Sequence, residues 1–297
     1  MNPYKVLWHT YRNLARIVSL TGLTSLSIGN FCLGERLDYL VRRWILFPMN
    51  TSVINVHGHL MQLSPWQYEY APEFLAGTYE IGTTRFFELN VHRGMTIVDC
   101  GAHVGYYSLL AARLVEGQGR VYAFEPTPES YSVLVKNIEL NGYDNVVAVR
   151  KAVAEKAGIR ALYESKRRTG TNSLYGTRIS SGPPLTVEAI TLDEFLESEG
   201  WPYVHLIKMD IEGAELAALD GAQVLLRRQR QLKLIVEFSP VNLRVAGVEP
   251  EEFLGKLACL GFRVRAIEDS AGLESIDVRR TLAQTKTREY LNLFCEK

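Results

Sequence analysis

The chain has 297 residues, 47% of them hydrophobic, enough to bury a full core as one large domain or as a domain plus an extension. Its 33 basic and 33 acidic side chains balance to a formal charge of +0, which removes any overall field drawing it to nucleic acid. Four scattered cysteines (Cys32, Cys100, Cys259, Cys295) form no C-x-x-C pair and follow no secretory leader pattern, so the expected compartment is reducing, without a disulfide framework or cysteine zinc site.

From Met1 to Gly34 there is no Asp or Glu, while Lys5, Arg12 and Arg16 make the segment positive. Tyr4, Leu7, Trp8, Tyr11, Leu14, Ala15 and Val18 recur at i, i+3, i+4 spacing, the apolar stripe of an amphipathic helix. The uncharged run Ile17 to Gly34 is too broken by Ser, Thr and Gly for a membrane span. A second helical pattern, Arg36 to Phe47, stops at Pro48. Residues 1–50 thus read as a helical extension, either packed on the body or a second copy, or lying on an anionic membrane surface with Arg42, Arg43 and Trp44 adding contact. Thr51 to Leu60 alternates as one strand. His57 and His59 would share a solvated face there, weak evidence for a metal without a third ligand.

From about Gly94 strands and helices alternate, the pattern of a mostly parallel sheet with helices on both faces. Thr96–Asp99 is the first strand and runs into a turn bracketed by Gly101 and Gly105, before helix-forming residues from Tyr106 to Val115. Such a junction presents backbone N–H groups to a polar or anionic ligand. Arg120–Glu125 is the second strand, followed by a helix with Thr127 as cap, Pro128 at its first position and Gly142 closing it. Asn145–Arg150 is the third strand. The rhythm breaks from Gly158 to Ile190, around the basic run Lys166, Arg167, Arg168. Thr191 and Glu194 form a capping box. Further strands are expected over His205–Asp210, Leu232–Glu237, Phe262–Ile267 and Tyr290–Phe294, with helices from Gly213 through Leu226 and from Pro250 to near Gly261.

Ligands in open parallel sheets sit beyond the carboxyl ends of the strands. Four of these strands end in an acid: Asp99, Glu125, Asp210 and Glu237. Like charges along one edge repel, and a cationic ligand or a metal would relieve them. Glu125 follows the glycine turn at the interval where a nucleotide-binding sheet places its ribose acid. Asp99 is suited to orienting the loop or a cofactor ammonium. Asp210 and Glu212 are candidate proton acceptors for a substrate hydroxyl, and His103 inside the turn is a candidate base. Glu215 reads as a first-turn acid supporting a helix N-terminus. A divalent cation on Asp210 and Glu237 ranks below the metal-free arrangement, so no metal is assigned.

Val98-Asp-Cys-Gly-Ala-His-Val-Gly-Tyr-Tyr-Ser108, Phe124-Glu-Pro126, Ile207-Lys-Met-Asp-Ile-Glu-Gly-Ala-Glu215 and Ile235-Val-Glu-Phe238 together resemble the FkbM family of S-adenosylmethionine (SAM) dependent methyltransferases. The likeness spans roughly Gly77 to the C-terminus, dividing the chain into a helical extension (1–50) and a methyltransferase domain (51–297). It implies the class I methyltransferase, Rossmann-like α/β fold, SAM as cofactor, and O-methylation of a hydroxyl on a sugar, glycolipid or polyketide-like small molecule. Cofactor contacts are expected from Glu80, Asp99, Gly101, His103, Gly105, Glu125 and Asp210, with Glu80 closing over the methionine end. Family members commonly carry Asn where His103 stands.

Three other readings share parts of this pattern. A NAD-type Rossmann oxidoreductase would need G-x-G-x-x-G, which the turn lacks. A non-catalytic membrane-associated scaffold would not need the strand-end acids. A nucleic-acid methyltransferase would carry an Asn/Asp-Pro-Pro-Tyr run where Asp-Ile-Glu-Gly stands here, so no nucleic-acid partner is expected. The expected setting is cytoplasmic, with peripheral membrane contact through the N-terminal helix and a homodimer as an open alternative. Glu164 to Pro184 and the extension are expected to shape the acceptor site.

Overall fold

A computed structural model describes residues 53–63, 70–165, 170–176, 182–276 and 290–297. The helical patterns expected within residues 1–50 and the basic run Lys166–Arg168 lie outside the described residues. The chain divides into two compact units between Tyr79 and Glu80.

In the first unit, β1 (Val53–Val56) pairs antiparallel with β2 (His59–Gln62), and α1 (Ala71–Ala76) follows. The single strand expected over Thr51–Leu60 is therefore a hairpin. Its turn sits at His57 and Gly58, both at positive φ (48° and 85°), the conformation that matches strand twist in a two-residue connection. Asn55 accepts the Gly58 N–H and helps close it. His57 consequently occupies the turn while His59 is buried on β2, so the two do not share a solvated face.

The second unit opens with α2 (Ile81–Asn90) and β3 (Thr96–Cys100), then α3 (Tyr106–Val115), β4 (Arg120–Phe124), α4 (Pro128–Leu140) and β5 (Val146–Val149). A small three-stranded sheet follows from β6 (Ala152–Val153), β7 (Gly158–Leu162) and β8 (Leu185–Ile190), in the order β6-β8-β7. The chain then continues through α5 (Leu192–Ser198), β9 (Leu206–Met209), α6 (Glu215–Asp220), α7 (Gln223–Arg228) and β10 (Lys233–Phe238). It closes with α8 (Pro240–Val245), α9 (Pro250–Cys259), β11 (Arg263–Ile267), β12 (Leu273–Ser275) and β13 (Leu291–Glu296).

Eight strands form the main sheet in the order β12-β11-β13-β10-β9-β3-β4-β5. The run from β10 to β5 is parallel, and β13 lies antiparallel between β10 and β11. From β3 the chain winds one way through β4 and β5, then returns to add β9 and β10 on the other side. Strand order thus reverses between β3 and β9, the place where such sheets open a ligand crevice.

Strand alternation decides what each face carries. Val98, Cys100, Ile207, Met209, Leu234, Val236 and Phe238 share one core cluster with residues of α5, α6, α7 and α9. Asp99, Lys208 and Glu237 alternate with these and point to the opposite face, where α3 supplies Tyr107 and Ser108.

Two local features depart from the sequence expectation. The helix expected from Gly213 through Leu226 is two short helices. Gly221 at the break stands where an added Cβ would lie 2.2 Å from the Ala154 carbonyl oxygen, and Asp193 accepts the N–H groups of Val224 and Leu225 to start α7. Thr127 precedes α4 but its side chain makes no cap bond to it. By contrast, Thr191 and Glu194 form the reciprocal capping box that their spacing predicts.

Candidate active site

The turn after β3 is built by its glycines. Gly101 has φ +87°, and an added Cβ would lie 1.9 Å from the Asp210 carbonyl oxygen, so this turn and the turn after β9 meet where a side chain cannot fit. Gly105, at φ +100°, caps α3, and its missing side chain leaves room for Leu134. His103 sits between them at φ 48°. Asn tolerates that left-handed region better than most residues, which gives a backbone reason for an Asn at this position in the resembling family. The N–H groups of Gly101 and Ala102 both donate to the Phe124 carbonyl, tying the turn to the end of β4.

Glu125 holds the next layer. Its Oε2 accepts the His103 N–H at 3.0 Å and its Oε1 accepts the Thr127 N–H at 2.8 Å. The Thr127 side chain also bonds this carboxylate, and the roughly four lone-pair sites of a carboxylate still leave room for a ligand's hydroxyl. Burial raises its pKa to about 6, against the lowering effect of those bonds, with Asp99 adding a smaller rise. Burial also holds His103 down at about 4, so its imidazole is neutral near pH 7.

These groups line a cleft together with Asp210, Glu212, Lys151 and Asn172. Phe124, Pro126, Val153, Leu162 and Leu174 supply apolar wall, the last two from the region of the small sheet. Of the residues expected to contact a cofactor, Gly101, His103, Glu125 and Asp210 reach this cleft. Gly105 is not in the lining and stands at the cap of α3, against Leu134. Asp99 is buried beneath the turn, where its Oδ2 accepts the Ser108 hydroxyl at 2.6 Å while Oδ1 has no hydrogen-bond partner among the described residues. That placement suits it to orienting the turn.

Glu80, at the start of α2, is drawn into a separate polar layer. It accepts the Tyr107 hydroxyl at 2.6 Å and the Asn292 amide at 3.1 Å. Lys208 stands at the centre of this layer, beside Asp99 in the strand register, its ammonium 3.0 Å from Asp210 and 4.5 Å from the centre of the Tyr107 ring. Its side chain is only 3% exposed. Burial works against its charge, but Asp210, Glu80 and Asp99 outweigh that and hold it protonated. Part of the repulsion among the strand-end acids is therefore relieved from inside the protein. The sequence reading overlooked this lysine. Its only signal was a charged residue at an inward position of an otherwise apolar strand, where an unpaired charge is costly.

After β9 the chain makes its second special turn. Glu212 adopts φ 53° and Gly213 φ +98°, and an added Cβ on Gly213 would lie 2.7 Å from the Asn242 carbonyl oxygen. Glu215 is buried, and its Oε1 accepts the N–H groups of Ile211 and Gly213, so it braces the turn. The Asn242 amide donates to Glu212 Oε2 at 2.5 Å, and the Ser173 hydroxyl donates to the Glu212 carbonyl at 2.7 Å. Asn242 lies on α8, a helix absent from the sequence expectation although Ser239-Pro240 is a legible start signal: Ser239 caps it by accepting the Asn242 N–H. Carboxylate oxygens of Asp210, Glu212 and Glu237 all lie within 4.8 Å of one another. Burial pushes Glu237 well above the carboxylate range, and Glu212 and Asp210 push it further.

Comparison with known proteins agrees with this geometry. The model of the methyltransferase FkbM domain matches residues 99–264, which include the cleft's Gly101, His103, Glu125, Asp210 and Glu212. The chain is similar to methyltransferase sdnD of Sordaria araneosa, 28% identical over 172 residues, covering 48% of this chain and 66% of that one. It is also similar to the hexuronic acid methyltransferase AglP of Haloferax volcanii, 26% identical over 155 residues, covering 52% of this chain and 57% of that one. The chain thus spans less than two thirds of the length of either relative. Among solved structures, a SAM-dependent O-methyltransferase from Thermotoga maritima aligns at 15% identity and TM-score 0.44, over 83% of this chain and 77% of that one. The matched region holds the glycine turn, Glu125 and the Asp-x-Glu-Gly-x-Glu turn in one sheet crevice, and the chain belongs to the FkbM family of SAM-dependent methyltransferases.

Proposed function

We propose that the protein O-methylates a hydroxyl on a small molecule, with a sugar or glycolipid as the acceptor class. The observation that carries this reading is the meeting of Glu125 and Asp210 in one cleft, on either side of the strand-order reversal. The residues present fit SAM: a carboxylate with free lone pairs for the ribose hydroxyls, apolar wall for the adenine, and a glycine turn open to close backbone approach. SAM, when bound, supplies an electrophilic methyl group. Gly101, His103 and Glu125 would hold it, and Asp99 would keep the turn in shape from beneath.

Asp210 is the group placed to take the acceptor's proton as the hydroxyl oxygen becomes methylated. Lys208, bonded to it, fixes the carboxylate's position. Glu212 is held by Asn242 beside the same opening, and neutral His103 can accept a hydrogen bond from the acceptor. The sugar preference is supported by the printed name of the AglP relative and by the polar, acidic character of the cleft, which suits a ligand rich in hydroxyl donors.

Peripheral membrane contact belongs to the same proposal and rests on the positive, striped segment within residues 1–50. Among the described residues, no helix is long and apolar enough to cross a membrane.

Calorimetry with SAM, its demethylated product and NAD tests the donor. SAM binding without NAD binding is expected, and the reverse would overturn the reading. Mass spectrometry of hydroxylated acceptors incubated with SAM then tests the acceptor, with a gain of one methyl group as the expected product. Asp210→Asn should cut turnover far more than SAM affinity, because a missing proton acceptor acts on the transition state. Vesicle co-sedimentation of the full chain, with anionic and neutral lipid, tests the membrane contact. Recovery in the pellet only with anionic lipid, falling with added salt, is the expected result.

A further inference from the structure

Strand alternation places a tyrosine that the sequence marked only as the start of the closing strand. Leu291, Leu293 and Cys295 of β13 join the core cluster, so Asn292 and Phe294 face the other way. There Phe294 packs edge-on against Phe86 of α2, with ring centroids 4.8 Å apart, and Asn292 donates to Glu80 at 3.1 Å. Tyr290 precedes Asn292 by two residues and continues the same face, its hydroxyl beside the same Glu80. β13 runs antiparallel to β10, and Leu291 stands opposite Phe238, the last residue of β10. Tyr290 therefore lies just past the carboxyl edge of the sheet, on the side that carries Lys208 and Glu237. It remains 39% exposed.

We infer that Tyr290 is an acceptor-binding residue, its ring a platform for one face of a sugar acceptor; the inference rests on the methyl-transfer reading given above. Gly101 and Glu125 follow the ends of β3 and β4, Asp210 follows β9, and β10 and β13 are the next strands outward. A donor seated by Gly101 and Glu125 thus leaves Asp210 between itself and Tyr290. An acceptor that gives its proton to Asp210 approaches over the ends of β10 and β13, where Tyr290 stands outside the lining of the donor cleft. An aromatic ring with its polar tip at a carboxylate and its body exposed offers a broad apolar face at little cost in side-chain freedom. The face of such a ring is electron-rich, and the C–H bonds along one face of a pyranose carry slight positive charge, so the two stack. Glu80 is itself held by Tyr107 and Asn292, which fixes the carboxylate beside the phenol. Burial, with Glu80, Glu237 and Asp210, keeps the phenol protonated, so its hydroxyl stays a donor.

The test incubates the full chain and SAM with methyl glucoside, methyl galactoside, methyl mannoside and an open-chain polyol, and follows methyl gain by mass spectrometry. At least one pyranoside should be methylated. For that acceptor, Tyr290→Leu should raise KM by about three- to tenfold and Tyr290→Phe by no more than about twofold, because the second keeps the ring. SAM affinity, measured by calorimetry, and kcat at saturating acceptor should stay near the wild-type values in both, a split that general damage to the fold would not give. Circular dichroism checks folding. If the leucine variant does not fold, saturation-transfer NMR on the wild type with the demethylated product bound decides: irradiating aromatic protons should reach the C–H protons of the pyranoside, and no transfer overturns the inference. Pyranoside methylation with a wild-type KM in folded Tyr290→Leu, or equal loss in the Phe and Leu variants, overturns the platform and leaves methyl transfer standing. Methylation of the open-chain polyol alone overturns the sugar acceptor and the platform together. No methylation of any compound, with SAM bound, overturns both as well and leaves only the donor reading.

Discussion

The turns after β3 and after β9 occupy equivalent places on the two sides of the strand-order reversal, yet they are held in different ways. The first is held by shape. Gly101 and Gly105 adopt positive φ, backbone N–H groups of the turn bond to the Phe124 carbonyl, and the Glu125 carboxylate accepts the His103 N–H. The second is held by charge. Lys208 pairs with Asp210, Glu215 accepts two turn N–H groups, and Asn242 grips Glu212. They touch where Gly101 packs on the Asp210 carbonyl and the Ile211 side chain. On the proposed reading the first turn binds the donor, which requires it to stay open with its backbone exposed. The second turn concentrates negative charge, and Lys208 balances part of it from within.

The largest effect should come from the charge-held turn. Lys208→Met removes the buried partner of Asp210 and should cost about 3–5 kcal/mol in denaturant unfolding at pH 7, the range for breaking a buried pair. The raised pKa of Lys208 means its contribution is present at all ordinary pH and is lost only in strong base. The penalty in the variant should shrink on acidification, as the uncompensated carboxylates take up protons. A wild-type unfolding curve for Lys208→Met would show that the turn after β9 is not held by charge.

Next comes the contact between the turns. Gly101→Ala forces a left-handed residue against the Asp210 carbonyl and should cost about 2–4 kcal/mol. It should also lower both SAM affinity and turnover, since it displaces both turns together. Loss of SAM affinity with wild-type turnover at saturating SAM would show that the two turns move independently.

Glu125→Ala probes the shape-held side. SAM affinity should fall by about 1.5–3 kcal/mol in calorimetry, the range for hydrogen bonds to a charged group. With the ribose contact proposed above, wild-type affinity should weaken as pH falls below about 6, where Glu125 takes up a proton, and the Ala variant should lose that dependence. The raised pKa has the opposite sign for stability. Its contribution to the ligand-free fold is fully present below the ordinary carboxylate value of 4.5 and is lost as pH rises through about 6.

The smallest effect belongs to the support behind the second turn. Asp193→Ala removes the carboxylate that starts α7 and should cost about 1 kcal/mol in thermal or chemical unfolding, as for a lost cap. SAM affinity should be unchanged, because Asp193 does not reach the cleft.

Legibility followed the range of the interactions. The strand from Thr96, the glycines at 101 and 105, Pro128 opening α4 and the Thr191–Glu194 box are encoded within a few residues, and the structure has them where the spacing places them. The hairpin at His57–Gly58 was also local but was read through, because period-two alternation continues across a two-residue turn. The break at Gly221 was not readable. Its cause is the Ala154 carbonyl, far away in sequence. The roles of Lys208 and Asn242 were hidden for the same reason, since each becomes meaningful only beside an acid from another strand or turn.

The sequence by itself determined the alternating α/β architecture, the left-handed turn after β3 and the acids at the strand ends, because periodicity, glycine and capping residues act on the backbone where they stand. Tertiary structure alone decided which of those acids meet. Cross-strand register sets Lys208 beside Asp99, strand alternation turns Glu237 toward the polar face, and the turn at Glu212 closes the three-carboxylate cluster. Burial then makes those meetings matter, since charges removed from water interact strongly only with what the fold places next to them.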